Sequence, residues 1–186
     1  SDTGSYGNMT TRKWLAHTDR VDLILQGKFY DVIPVTAQIA PTTICQYNCP
    51  MCSYGKSKDA IRLALKRGSC DRSKFFMSFE DMKLYLNRLS EAGVKAVVFT
   101  GGGEPLLNPD TLTGMEYAKS LGLSVGLFSD GYLLTPEISE RIMKIGLEFF
   151  HVSFNAGTPE TYKHSFGTTE ESFGRVVSNI EACVAA

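Results

Sequence analysis

The chain has 186 residues, 43% of them hydrophobic and 21% charged, with a formal net charge of -1. This balance fits a single globular domain with a substantial core and excludes a disordered or fibrous chain. Near-neutral charge supplies no field to draw in nucleic acid or an anionic membrane, and no apolar run approaches the roughly 20 residues of a bilayer span.

Residues 1–9 are polar and glycine-rich and read as a loose leader without a signal-peptide pattern. Residues 10–26 carry Trp14, Leu15, Val21, Leu23, Ile24 and Leu25 and predict a helix ending near Gly27. Residues 1–34 are therefore expected to form a leader and helix ahead of a core spanning 35–186. Residues 35–39 predict a strand, with Pro34 tolerated at its start. A cysteine-rich loop follows directly. Residues 53–77 are basic, with Lys56, Lys58, Arg62, Lys66, Arg67, Arg72 and Lys74 against Asp59 and Asp71. They predict a mobile excursion with a solvated surface, helical in part around 59–66.

The pattern then becomes regular. Ser78 and Asp81 resemble a capping box ahead of a helix with Phe79, Met82, Leu86 and Leu89 on one face, up to Gly93. Residues 94–100 predict a buried strand. Asn108 and Pro109 predict the start of a helix closed by Gly122. Residues 124–129 predict a strand, Thr135 and Pro136 open a helix stopped by Gly146, and residues 149–154 predict a fourth strand. Thr168 and Glu171 are expected to cap a last helix through Val184, with Cys183 in the core. His151 is expected to pack among aromatics. Four alternations of strand and helix imply an α/β fold with a parallel sheet, closed as a barrel or open.

The chemistry concentrates in Cys45-Gln-Tyr-Asn-Cys49-Pro-Met-Cys52. Five cysteines are present, and three of them crowd into eight positions. A disulfide framework spreads its cysteines, whereas a local cluster collects metal, which points to a reducing, cytoplasmic compartment. Three thiolates on one loop suit three corners of a cubane iron–sulfur cluster and leave its fourth iron open. The residues also permit a zinc site completed by histidine, although His17, His151 and His164 stand at no zinc-finger spacing. Cys70 as a fourth ligand would close the cluster and make an electron carrier; its place in the basic insert favours an unligated thiol. Downstream, the strand at 94–100 runs into Gly101-Gly102-Gly103-Glu104-Pro105, where glycines admit close approach of a ligand and Glu104 offers a carboxylate to a cation.

Together these motifs resemble the radical S-adenosylmethionine (radical SAM) superfamily. The Cys-x3-Cys-x2-Cys signature matches Cys45, Cys49 and Cys52, and the Gly-Gly-Glu-Pro motif matches Gly102, Gly103, Glu104 and Pro105. The resemblance implies a partial (β/α) TIM-like barrel with about four β/α units in this chain. It also implies a [4Fe–4S] cluster and S-adenosylmethionine, whose amino and carboxylate groups chelate the open iron while the glycine–glutamate motif contacts the same amino group. Met51 stands where the family commonly has an aromatic residue near the adenine. Ser129, Ser153 and Asn155, at or just past strand ends, resemble positions that line the sulfonium, ribose or carboxylate.

The implied activity is reductive cleavage of S-adenosylmethionine to a 5′-deoxyadenosyl radical that takes hydrogen from a substrate. The implied partners are an external electron donor such as flavodoxin or ferredoxin and a small-molecule or peptide substrate. No catalytic residue beyond the cluster is assigned. An eight-unit barrel takes about 250 residues, so later strands and any auxiliary cluster domain are expected beyond Ala186.

Overall fold

A computed structural model describes residues 13–185. Four parallel strands lie in sequential order, β1 (Thr36–Ile39), β2 (Ala96–Phe99), β3 (Ser124–Ser129) and β4 (Phe149–Val152). The register aligns Thr36 with Ala96, Ala96 with Ser124, and Gly126 with Phe149. A sequential parallel order with right-handed crossovers keeps every crossover helix on one side of the sheet, which is the wall of a barrel; a doubly wound sheet must reverse its order.

The helices ahead of β1 are α1 (Lys13–Ala16) and α2 (Thr18–Leu25). The single helix expected over 10–26 is thus broken at His17, and the expected leader at 1–9 lies outside the described residues. Buried Arg20 fixes α2 to the base of the sheet, donating to the carbonyls of Ile33 at 2.8 Å and Gly93 at 2.7 Å. The basic insert contains α3 (Gly55–Lys66), longer than its expected helical part. A 3-10 turn over Arg72–Phe75 follows, and a bridge between Thr42 and Phe76 returns the chain to the core.

Helices α4 (Phe79–Glu91), α5 (Thr111–Ser120) and α6 (Pro136–Ile145) follow. Ser78 Oγ accepts from the Asp81 amide as the motif predicts, and Thr135 caps α6 while Gly146 ends it. Helix α5 starts later than expected. Buried Asn108 uses its side-chain amide to donate to the carbonyls of Pro41 and Met77, each at 2.8 Å, so it ties β1 to α4 instead of opening α5. After β4 come two helices where one was expected: α7 (Pro159–Phe166), opened by a capping box of Thr158 and Thr161, and α8 (Glu171–Ala185). The last helix begins at Glu171 itself.

Alternation along the strands separates two faces. Ile39, Val97, Phe99, Val125 and Leu127 pack with Met82, Leu86, Leu112, Met115 and Ile142 from the helices in the main core. Gln38, Val98, Phe128 and His151 belong to the opposite set. His151 is exposed there and packs, as expected, beside an aromatic, its ring centroid 4.9 Å from that of Phe128. Cys183 is buried, as expected.

Candidate functional site

The cysteine loop leaves β1 and is held by the three residues between its first two cysteines. Gln46 Nε2 donates to Asp130 Oδ2 at 2.7 Å, at the exit of β3. Tyr47, 2% exposed, plugs a second apolar cluster with Tyr162, Phe166 and Val176, against which Cys45 and Cys49 also pack. Its ring meets those of Tyr132, Tyr162 and Phe166 edge-on at 5.7, 6.1 and 5.5 Å. The Asn48 amide donates to the Phe166 carbonyl at 3.1 Å. Arg62 of α3 reaches the same stretch from the other side, donating to Asn48 Oδ1 and to the carbonyls of Cys45 and Tyr47. One short loop is thereby fastened to β3, α7 and α3.

A second strand exit meets this loop. The Glu104 amide donates to the Ile44 carbonyl at 2.9 Å. At Gly103 a Cβ would fall 2.2 Å from the Ile44 carbonyl oxygen and 2.7 Å from that of Thr42, so only glycine lets the two segments touch. Glu104 is 3% exposed. Its Oε1 accepts from Ser129 Oγ at 2.8 Å and from the Leu106 amide at 3.0 Å, and its Oε2 accepts from the Asp130 amide at 2.8 Å. Burial raises its pKa to about 8, helped by the negative charge of Asp130 and opposed by those three hydrogen bonds. Burial likewise holds the phenols of Tyr47 and Tyr162 protonated, that of Tyr162 up to about 12.

These groups line a cleft of about 140 Å³ bounded by Cys45, Cys49, Gly103, Glu104, Ser129 and Ser153, with Tyr47, Asp130 and Phe166 beside them. Of the expected site residues, it gathers Cys45, Cys49, Gly103, Glu104, Pro105, Ser129 and Ser153. Cys52 closes the loop, its amide donating to the Cys49 carbonyl at 3.1 Å. Gly102 borders a neighbouring cleft of about 330 Å³ that shares Thr100 and Gly101 with the first and has Gln38, Thr43, Tyr54 and Ile61 among its walls. Met51 and Asn155, both exposed, line neither cleft, and the position beside Gly102 is taken by the Tyr54 ring. Cys70, beyond α3, lines neither.

The donor set decides which group fits. Among the described residues no three His, Cys, Asp or Glu side chains converge on the position of one metal ion. A cubane asks for something else: each thiolate takes its own iron, and a loop of three partly buried cysteines supplies that. The buried carboxylate beside it suits a cationic head group.

Comparison with known proteins agrees. The family model "Radical SAM superfamily" matches residues 39–186. The chain is 29% identical over 140 residues to the AdoMet-dependent heme synthase of Methanosarcina barkeri, covering 75% of this chain and 36% of that protein. It is 31% identical over 153 residues to the probable GTP 3′,8-cyclase of Methanothermobacter marburgensis, covering 82% and 45%. Its fold resembles SuiB of Streptococcus suis bound to the precursor peptide SuiA, with a TM-score of 0.60 and 15% identity over 94% of this chain and 37% of SuiB. The chain thus spans less than half the length of these relatives.

Proposed function

This chain belongs to the radical SAM superfamily, and on that premise we propose that Cys45, Cys49 and Cys52 hold a [4Fe–4S] cluster beside a site for S-adenosylmethionine. The observation that carries the reading is the buried Glu104 carboxylate on the wall of the cleft that Cys45 and Cys49 also line. When bound, the cluster and S-adenosylmethionine supply reductive cleavage of a carbon–sulfur bond to methionine and a 5′-deoxyadenosyl radical.

The chain's own residues bind, orient and exclude water. Glu104 accepts the amino group of the methionine part, which restores its ionised form by placing a positive charge against it. Ser129 and the Asp130 amide hold that carboxylate in one orientation. Gly103 and Pro105 bring backbone close to the head group, with Ser153 on the facing strand exit. Tyr47 and Phe166 close the apolar side, removing water that would screen the charge pair. Gly102, Met51 and Asn155 fall outside this cleft.

Residues 35–186 belong, in this reading, to the radical SAM core. The substrate is a small molecule or peptide entering over the larger cleft, which opens across Thr100 and Gly101 from the cofactor site. An external donor such as flavodoxin or ferredoxin supplies the electron. A reducing, cytoplasmic compartment agrees with five cysteines outside any disulfide; among the described residues no helix is long and apolar enough to cross a membrane.

The test is anaerobic reconstitution followed by a strong reductant and S-adenosylmethionine. Methionine and 5′-deoxyadenosine in equal amounts are expected. Their absence with the cluster intact refutes the activity.

A further inference from the structure

Resting on the cluster assignment above, we propose that Arg62 is a positioning residue for the metal-binding loop, holding its thiol-bearing backbone in the ligating form and lending it a fixed positive charge. The guanidinium contacts three acceptors, Asn48 Oδ1 and the carbonyls of Cys45 and Tyr47, all of them from Cys45 to Asn48.

The geometry needs a fork. Three acceptors spread over four residues suit the planar, five-donor guanidinium, whereas a lysine ammonium is a point charge on a flexible stem. The Arg62 side chain is 28% exposed, and its ion-pair partner Asp59 lies 3.6 Å away and 67% exposed, so that pair competes weakly. The two carbonyls sit in partly shielded backbone, and losing the guanidinium leaves them without this partner as the loop folds. The opposite side of the loop is fixed by Asp130, Phe166 and the Tyr47 plug. Arg62 is thus the half of a clamp that the basic insert supplies, which gives α3 a task beyond carrying surface charge.

The charge has its own consequence. Reduction adds an electron to the cluster, and a cation against the ligating loop stabilises the reduced form, so Arg62 raises the reduction potential. A purely structural brace would leave the potential where it is.

Two variants of the full chain separate these effects: Arg62→Gln removes charge and fork, and Arg62→Lys keeps the charge without the fork. In the cluster-free protein, alkylation of Cys45 and Cys49 is followed by mass spectrometry with Cys70 as internal reference, at a temperature where thermal unfolding shows each variant folded. With rates compared at a pH above the thiol titrations, so that every cysteine reacts as thiolate, both variants are expected to speed alkylation of Cys45 and Cys49, Arg62→Gln by about tenfold, with Cys70 unchanged. In the reconstituted protein, the potential is expected to shift negative in Arg62→Gln and to stay near wild type in Arg62→Lys. Unchanged alkylation overturns the positioning role, and an unchanged potential in Arg62→Gln overturns the electrostatic one. A wild-type chain that takes up no cluster defeats the cluster assignment alone, because the alkylation rates still decide on Arg62.

Discussion

Ser129 Oγ donates to Glu104 Oε1 at 2.8 Å, joining the exit of β3 to the exit of β2 inside the cleft. With the Asp130 amide on the other oxygen at 2.8 Å, the carboxylate has a fixed orientation before any ligand arrives. Each such hydrogen bond is worth about 0.5–1.5 kcal/mol while the carboxyl is protonated and about 1.5–3 kcal/mol once it is ionised.

The raised pKa of Glu104 makes binding pH-dependent. Between its ordinary 4.5 and about 8 the folded chain holds a proton that the unfolded chain releases. The resulting stability is fully present below 4.5 and is lost as pH rises through about 8. A cationic head group needs the carboxylate ionised, so affinity for S-adenosylmethionine is expected to rise toward about pH 8, by at most about tenfold per unit. Glu104→Gln should bind weakly and lose this dependence, which titration calorimetry on both proteins would read.

Gly103→Ala tests the contact between the two motif-bearing segments. The added methyl meets the backbone carbonyl oxygens of Ile44 and Thr42 at 2.2 and 2.7 Å, and backbone cannot step aside as a flexible side chain can. A loss of about 1–3 kcal/mol in denaturant unfolding is expected, with reduced iron uptake because Ile44 adjoins Cys45.

Tyr47→Phe keeps the ring in its aromatic setting and removes the acceptor of the Tyr162 hydroxyl at 3.2 Å. Unfolding should show a loss of about 1 kcal/mol. Tyr47→Ala empties the plug beside Cys45 and Cys49 and should cost about 3–5 kcal/mol. An equal small loss in both would show that the loop does not depend on this ring.

Much of this arrangement was legible in the sequence, for identifiable reasons. The strands around Val97, Val125 and Phe150 are short apolar runs between helices with clear stops, and local pattern alone dictates them. Glu104 and Ser129 were legible because they sit in motifs at strand ends. Helix α7 was missed because its eight residues, Pro159–Phe166, are mostly polar, and their signals, Thr158-Pro159 before and Gly167 after, resemble a turn. The grip of Arg62 and the plug of Tyr47 could not be read locally. One looked like surface charge and the other like spacer, and both acquire their role from contacts made 15 and 115 residues away in sequence. Met51 was expected near the cofactor from its place before Cys52, yet the loop turns it outward to 63% exposure.

Cys70 separates an open cluster from a closed one. Cys70→Ser is expected to retain iron, acid-labile sulfide and the visible spectrum of the wild-type chain. Serine at Cys45, Cys49 or Cys52 should abolish the [4Fe–4S] spectrum. Loss of the cluster in Cys70→Ser would make the protein an electron carrier with four thiolate ligands.

The most direct measurement is the electron paramagnetic resonance spectrum of the reduced cluster before and after adding S-adenosylmethionine. In the proposed site three thiolates leave one iron free to take the amino acid head group, so the signal of the wild-type chain should change shape on addition, and that of Glu104→Gln should change much less. A wild-type spectrum indifferent to S-adenosylmethionine would mean that no iron is open, and would contradict the account at its root.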